Sequence, residues 1–152
     1  IAKEARLGSE VVRNYWTAGL LHDIGKLVIT ANFPQDFGRI RGLVEERNYK
    51  LTEAEDTVLG TNHGEIGAYL LGLWGLPTPL ISTCAFHHNP GKYNTDQISP
   101  VNVVHFANAV EHRKNGFESE DKETKYRETY FESVGLADQV HKWEQVCQEA
   151  VV

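Results

Sequence analysis

The sequence predicts an all-α fold, a compact bundle of about six to eight helices. Three observations carry this. Apolar residues recur at three- and four-residue steps along nearly the whole chain; glycines, prolines and Ser/Thr caps divide those stretches at helix-length intervals; and alternating, strand-type runs are scarce.

Taken in order, the opening "IAKEARLG" has helical spacing and stops at Gly8, as the tail of a helix would. The 152 residues are therefore expected to form a single domain, and to be a piece of a longer chain whose upstream helices lie outside the sequence. Ser9 is a candidate N-cap, and from it one long helix is expected through Tyr15, Leu20, Leu21, Ile24 and Leu27 toward "TANFP". Pro34 restarts the pattern, with Phe37, Ile40, Val44 and Arg47 spaced as a second helix ending near Asn48. Thr52 and Glu55 have the spacing of a capping box for a helix that breaks near Gly60. "HGEIGAYLLGLWG" places Ile66, Leu70, Leu71 and Trp74 on one stripe, and its glycines permit close approach of a neighbouring helix. Leu73 and Trp74 are expected in the core. "LPTPLISTCAFHHNPG" reads as a short helix from a proline start to His87 and His88. "PVNVVHFANAVEHRKNG" is a further helix with basic residues in its last turn. The charged stretch from Phe117 to Arg127 reads as a solvated loop or weak helix before a last amphipathic helix around Ala137 to Ala150.

Composition narrows the function classes. The apolar content of 41% is enough for one buried core. A net charge of −6 offers no basic face to a polyanion, so nucleic acid is not expected as a partner. The longest apolar segment, Ile66 to Ile81, is cut by Gly72, Gly75, Pro77 and Pro79 and cannot span a membrane. Cys84 and Cys147 are too few for a disulfide framework or a cysteine zinc site and read as buried thiols. These features together lead to the expectation of a cytoplasmic domain.

The polar residues within apolar stretches are the candidate site. In "GLLHDIGKLVI", His22, Asp23 and Lys26 fall on adjoining sides of one helical turn. An imidazole and a carboxylate side by side can present a nitrogen and an oxygen to a divalent metal, and a lysine beside them can hold a phosphate. A buried Asp–Lys ion pair explains the same residues without any metal, and one His–Asp dipeptide carries little weight. His63 opens a later helix, and His87 and His88 close another. Histidines at helix ends can turn inward and converge on one ion, and the succession His-Asp, His, His-His on separate helical units is harder to attribute to chance. His105 and His112, seven residues apart on one helix, read as core-facing or capping.

"LLHDIGKLVI", "HGEIGAYLLGLWGLP", "FHHNP" and "VVHFANAV", in that order, resemble the motifs of the HDOD domain, an output module within the HD superfamily of metal-dependent phosphohydrolases. The resemblance spans about Ser9 through Lys114. It implies a compact HD-superfamily helical bundle around a divalent metal, iron, manganese, magnesium or zinc, with His22 and Asp23 as paired ligands and His63, His87 and His88 as further ones. By the same resemblance, Lys26 would face phosphate, and Asp23 and Lys26 would carry the catalytic roles in a working phosphohydrolase or phosphodiesterase.

Two departures weigh against catalysis. The hydrolases close their site with a late aspartate where this chain has Asn108, a neutral and weaker ligand, and they use a further histidine on a helix that is only partly included here. The expectation is therefore a bacterial signal-transduction or regulatory domain with a degenerate centre whose metal is weakly bound or absent. Its partners would be signalling domains or a small phosphorylated ligand, with oligomers open to it; the active hydrolase is the alternative.

Overall fold

A computed structural model of the chain describes residue 1 and residues 8–93, 97–114 and 129–149. Among these the structure is helical and contains no strand, in agreement with the predicted all-α class. The elements are α1 (Ser9–Leu21), α2 (Ile24–Asn32), α3 (Pro34–Arg47), α4 (Leu51–Leu59), α5 (His63–Leu73), α6 (Thr78–Phe86), a 3-10 turn (Pro90–Lys92), α7 (Pro100–Lys114) and α8 (Ala137–Glu149). Residues 129–133 are also helical. The predicted helix tail at residues 2–7, the charged stretch from 117 to 127 and the side chain of His112 lie outside what is described.

The terminators work as their chemistry dictates. Pro34 opens α3, Asn48 closes it in the left-handed region at φ 55°, and Gly60 ends α4 at φ 73°. The start of α4 differs from the sequence expectation. Lys50 is the N-cap, its backbone N–H donating to Glu53 Oε2 at 3.3 Å, whereas Glu55 turns inward and is buried. A carboxylate that finds two buried donors in the interior gains more there than as a capping group on an exposed turn.

The expected single helix from Ser9 onward is in fact two. Asp23 leaves helical geometry at φ −102°, ψ 11°, and α2 restarts at Ile24 with the Lys26 N–H donating to the Asp23 carbonyl at 2.9 Å. This break seats α2 on α5. A Cβ at Gly25 would lie 1.9 Å from the His63 carbonyl oxygen and 2.9 Å from the Gly67 nitrogen, and one at Gly67 would lie 2.5 Å from Cys84 Sγ. Glycine is required at both places by close approach of the backbones.

From there the bundle is built outward. α5 packs on α2 and α6, and α6 packs on α1 and α7. On one side, α2, α3 and α4 enclose Ile29, Ile40 and Ala54, with Phe37, Val44, Val58 and Ile66 against them. On the other, α1, α7, residues 129–133 and α8 enclose Tyr15, Phe106, Phe131 and Trp143. Phe106, Phe131 and Trp143 meet edge to face at centroid distances of 5.4–5.8 Å, the favoured geometry of aromatic quadrupoles. The side-chain oxygen of Asn102 accepts from the backbone N–H and hydroxyl of Ser99, and its amide donates to the Tyr130 hydroxyl, which satisfies the polar groups buried beside this core.

Leu73 and Trp74 do not lie in the core: they are 66% and 61% exposed. The buried face of α5 is His63, Gly64, Gly67, Ala68 and Leu71, so the helical period turns Leu73 outward, and Trp74 sits beyond the last full turn as the C-cap. Of the stripe expected from the sequence, Leu71 is fully buried and Ile66 and Leu70 partly so.

Two glycine substitutions test this packing. Gly25→Ala should destabilise the protein by about 3 kcal/mol, the upper end of ordinary overpacking, because the obstructing atoms are backbone. Gly38→Ala, in open space on α3, should instead stabilise it by up to about 1 kcal/mol. Chemical denaturation of the two variants beside the parent would show the opposite signs.

Candidate metal centre

The break after α1, the first turn of α5 and the last turn of α6 meet at one point, and each delivers polar side chains there. His22 and Asp23 come from the break. His63 comes from the start of α5, where Asn62 caps the helix by accepting from the Glu65 N–H at 3.2 Å. His87 is the C-cap of α6, and His88 follows it. Asp23, His63, His87 and His88 each place a donor atom within 4.8 Å of the others.

Asp23 is the hub and divides its two oxygens. Oδ2 accepts from Lys26 Nζ at 2.7 Å and lies 3.4 Å from His22 Nε2. Oδ1 lies 3.3 Å from His63 Nε2 and 3.4 Å from His87 Nε2. His63 and His87 have no side-chain exposure, whereas Asp23 and Lys26 are about a third exposed, so the centre is closed at the back and open on the lysine side.

Hydrogen bonds on the far sides of the rings set which nitrogen points inward. His22 Nδ1 lies 2.8 Å from the Gly19 carbonyl and His87 Nδ1 2.9 Å from the Cys84 carbonyl. A carbonyl can only accept, so Nδ1 carries the proton in each and, when neutral, the ring turns its Nε2 lone pair inward. His63 does the same against a carboxylate, its Nδ1 lying 2.6 Å from Glu55 Oε2. His63 Nε2 and His88 Nε2 face each other at 3.0 Å.

This donor set fits a divalent cation. His22 Nε2, His87 Nε2 and Asp23 Oδ1 are buried and have no hydrogen-bond partner, an arrangement of acceptors facing acceptors that a cation resolves. Without an ion the electrostatics divide the group, since the carboxylate favours protons on some of the rings that touch it and burial keeps others neutral. Burial by itself would raise the Asp23 carboxyl, but the imidazoles of His22, His63 and His87 outweigh it and hold the group well below the usual carboxylate range. Burial would lower His22 and His63 too; contact with Asp23, joined by Glu55 for His63, reverses this and raises both. Burial lowers His87 and His88, keeping them neutral and able to ligate.

The sequence-predicted residues are placed as follows. Asp23, His63, His87 and His88 form the four-donor group; His22 lies beside it, next to the lysine-bound oxygen; Lys26 stands at the open side. Asn108 is half-buried on α7. His105, expected to be core-facing or capping, is buried and donates from Nδ1 to the His87 carbonyl at 2.7 Å, pinning the end of α6. Glu55 was missed. The signal for it was a glutamate on the apolar side of α4, between Ala54 and Val58, which the capping-box spacing disguised.

The comparisons with known proteins agree with one another. Residues 1–90 match the family model described as HDOD domain. An uncharacterised protein of Treponema pallidum (strain Nichols) is 32% identical over 98 residues, 64% of this chain and 19% of that protein. A crystal structure of an HDOD domain protein of unknown function from Geobacter sulfurreducens shares 33% identity at a TM-score of 0.56, over 60% of this chain and 31% of that one. A chain from Shewanella amazonensis, described provisionally as a phosphohydrolase, matches with a TM-score of 0.63 at 23% identity, over 85% of this chain and 49% of that one, and this likeness shows the fold alone. The present chain thus spans about half or less of the length of each of these relatives.

Cys84 offers a pH test of the packing behind the centre. Its Sγ donates to the His22 carbonyl at 3.1 Å, and burial, reinforced by the Asp23 charge, pushes the thiol from 9.0 up to about 12. The unfolded chain releases this proton at lower pH than the folded one, so the contribution of Cys84 to stability is fully present below pH 9 and is lost as pH rises toward 12. Tyr15, raised to about 12 mainly by burial, adds a similar loss above pH 10. Between pH 9 and 10 the stability decline should flatten in Cys84→Ala, as followed by denaturant titration at stepped pH.

Proposed function

The chain belongs to the HDOD domain family of the HD superfamily, and from that premise we propose that it is a regulatory output domain for signal transduction, built around a metal centre and acting by binding rather than by turnover. The observation that supports this best is the charge of the donor set. One carboxylate stands among imidazoles, and Lys26 already occupies one of its two oxygens at 2.7 Å. Phosphoester hydrolysis needs a centre that binds its ion firmly and keeps positions open, and loss of a second anionic ligand at Asn108 weakens that.

Asp23, His63, His87 and His88 would hold the ion, Asp23 through Oδ1, with His22 adjacent. Imidazole-rich sites suit zinc and iron better than manganese and magnesium, which favour oxygen ligands. A bound ion would supply a Lewis acid at the back of the site. At the open side the Lys26 ammonium is placed to pair with an anionic oxygen of a small phosphorylated ligand. The greater length of the relatives suits a module that exchanges signals with partner domains, and pairing with a second copy is compatible with the reading. The acidic balance disfavours nucleic acid, no helix of the described residues is long and apolar enough to cross a membrane, and two cysteines without a disulfide suit the reducing cytoplasm of a bacterium.

A second reading, a metal-dependent phosphohydrolase or phosphodiesterase, is favoured by the Asp23–Lys26 pair at the mouth of the centre, where a reacting phosphate would sit. Metal content after purification without chelator, with turnover assayed on linear and cyclic phosphodiesters, separates the two. The regulatory reading expects sub-stoichiometric to stoichiometric zinc, iron or manganese, lost in Asp23→Ala and His87→Ala, and no turnover. Turnover abolished by the same substitutions would replace it with the hydrolase, and a parent protein that takes up none of these ions would remove the metal centre from both.

A further inference from the structure

Glu55 is a carboxylate side chain at 3% exposure, and two donors of a single residue meet it. Its Oε2 accepts from the His63 backbone N–H at 3.0 Å and from His63 Nδ1 at 2.6 Å. Burying a carboxylate is costly unless it is paired and hydrogen-bonded. An N-terminal cap would account for the first bond, since a helix start favours an anion. It does not account for the second, which is the shorter and goes to the ring.

That ring bond decides what His63 can do. A neutral imidazole carries one proton. If it sat on Nε2, the N–H would point at Asp23 Oδ1 and His88 Nε2, and the lone pair would face Glu55, two like partners at 2.6 Å. With the proton on Nδ1 the shortest contact, that to Glu55, becomes a hydrogen bond, and the Nε2 lone pair faces the centre, where only a cation or a donated proton reconciles it with Asp23 Oδ1. His22 and His87 are oriented by neutral carbonyls; of the three, His63 alone is oriented by a charge, which also raises the donor strength of the ring.

We propose that Glu55 is a positioning residue that holds His63 with its proton on Nδ1 and thereby aims Nε2 into the centre formed with Asp23, His87 and His88. The metal part of this rests on the reading above; the protonation part does not.

The experiment uses the whole 152-residue chain with Glu55→Met, which removes the acceptor at nearly constant volume, and Glu55→Gln, which keeps a neutral acceptor. Long-range nitrogen–proton spectra of the metal-free protein at neutral and alkaline pH read which His63 nitrogen is protonated, circular dichroism reads the fold, and competition with a chromophoric chelator reads zinc affinity. Expected are a protonated His63 Nδ1 in the parent, a shift of the proton toward Nε2 in Glu55→Met with zinc affinity about 10- to 100-fold weaker, and recovery of most of both in Glu55→Gln. An unprotonated His63 Nδ1 in the parent overturns the proposal without any variant, even should Glu55→Met fail to fold. A folded Glu55→Met with unchanged His63 protonation and zinc affinity also overturns it, leaving Glu55 as a helix cap. If the parent takes up no zinc, the metal reading falls, and the protonation shift alone decides the role of Glu55.

Discussion

A contact with no side chain in it holds the centre of this protein together. The first turn of α2 lies against the first turn of α5 so closely that Gly25 rests on the His63 carbonyl and the Gly67 nitrogen. Only a glycine at each side permits this separation, and the separation is what brings the Asp23 carboxylate within 3.3 Å of a histidine forty residues later. Dispersion between backbones at such range is strong for its area, but the consequence that matters here is geometric. Helix axes held apart by ordinary side chains would leave His63 and Asp23 too far apart to share an ion.

The electrostatics of the site follow from that approach. A carboxylate drawn into a pocket backed by two fully buried imidazoles must be compensated: Lys26 does so on the open side, and within the pocket an ion or protons on the rings must. The acceptors on the outer side of each ring then determine what the inner side offers. Because Glu55 and the carbonyls of Gly19 and Cys84 hold the Nδ1 protons, the inner nitrogens of neutral rings converge as lone pairs, which suits a cation. The proposed binding role rests on the same balance of charge, one carboxylate among imidazoles with a lysine already on it.

Much of this was legible in the chain. The all-α class, the terminators at Pro34, Asn48 and Gly60, and the succession of His-Asp, His and His-His on separate helices follow from local spacing, which local chemistry sets. Residues whose role depends on a partner far along the chain were misread. Leu73 and Trp74 look like core by hydrophobicity, yet α5 spends its inner face on glycines and a histidine, and the period then turns them to solvent. Glu55 fits a capping box by spacing, yet it bonds His63 because the turn between α4 and α5 folds it back. The continuous helix expected from Ser9 breaks at Asp23 because convergence on α5 outweighs one more helical hydrogen bond.

By itself, then, the amino-acid sequence determined the helical class, several of the helix ends and the inventory of ligand-type residues, since each depends on neighbours within a turn or two. The tertiary structure decided which of those residues meet. It assembled Asp23, His63, His87 and His88, gave Lys26 the open side, set His22 against the lysine-bound oxygen and recruited Glu55 and His105 behind the rings. The physical reason is that ligand geometry is fixed by distances between helices, and those distances depend on which glycines face one another across an interface, a property of pairs that no single stretch of sequence contains.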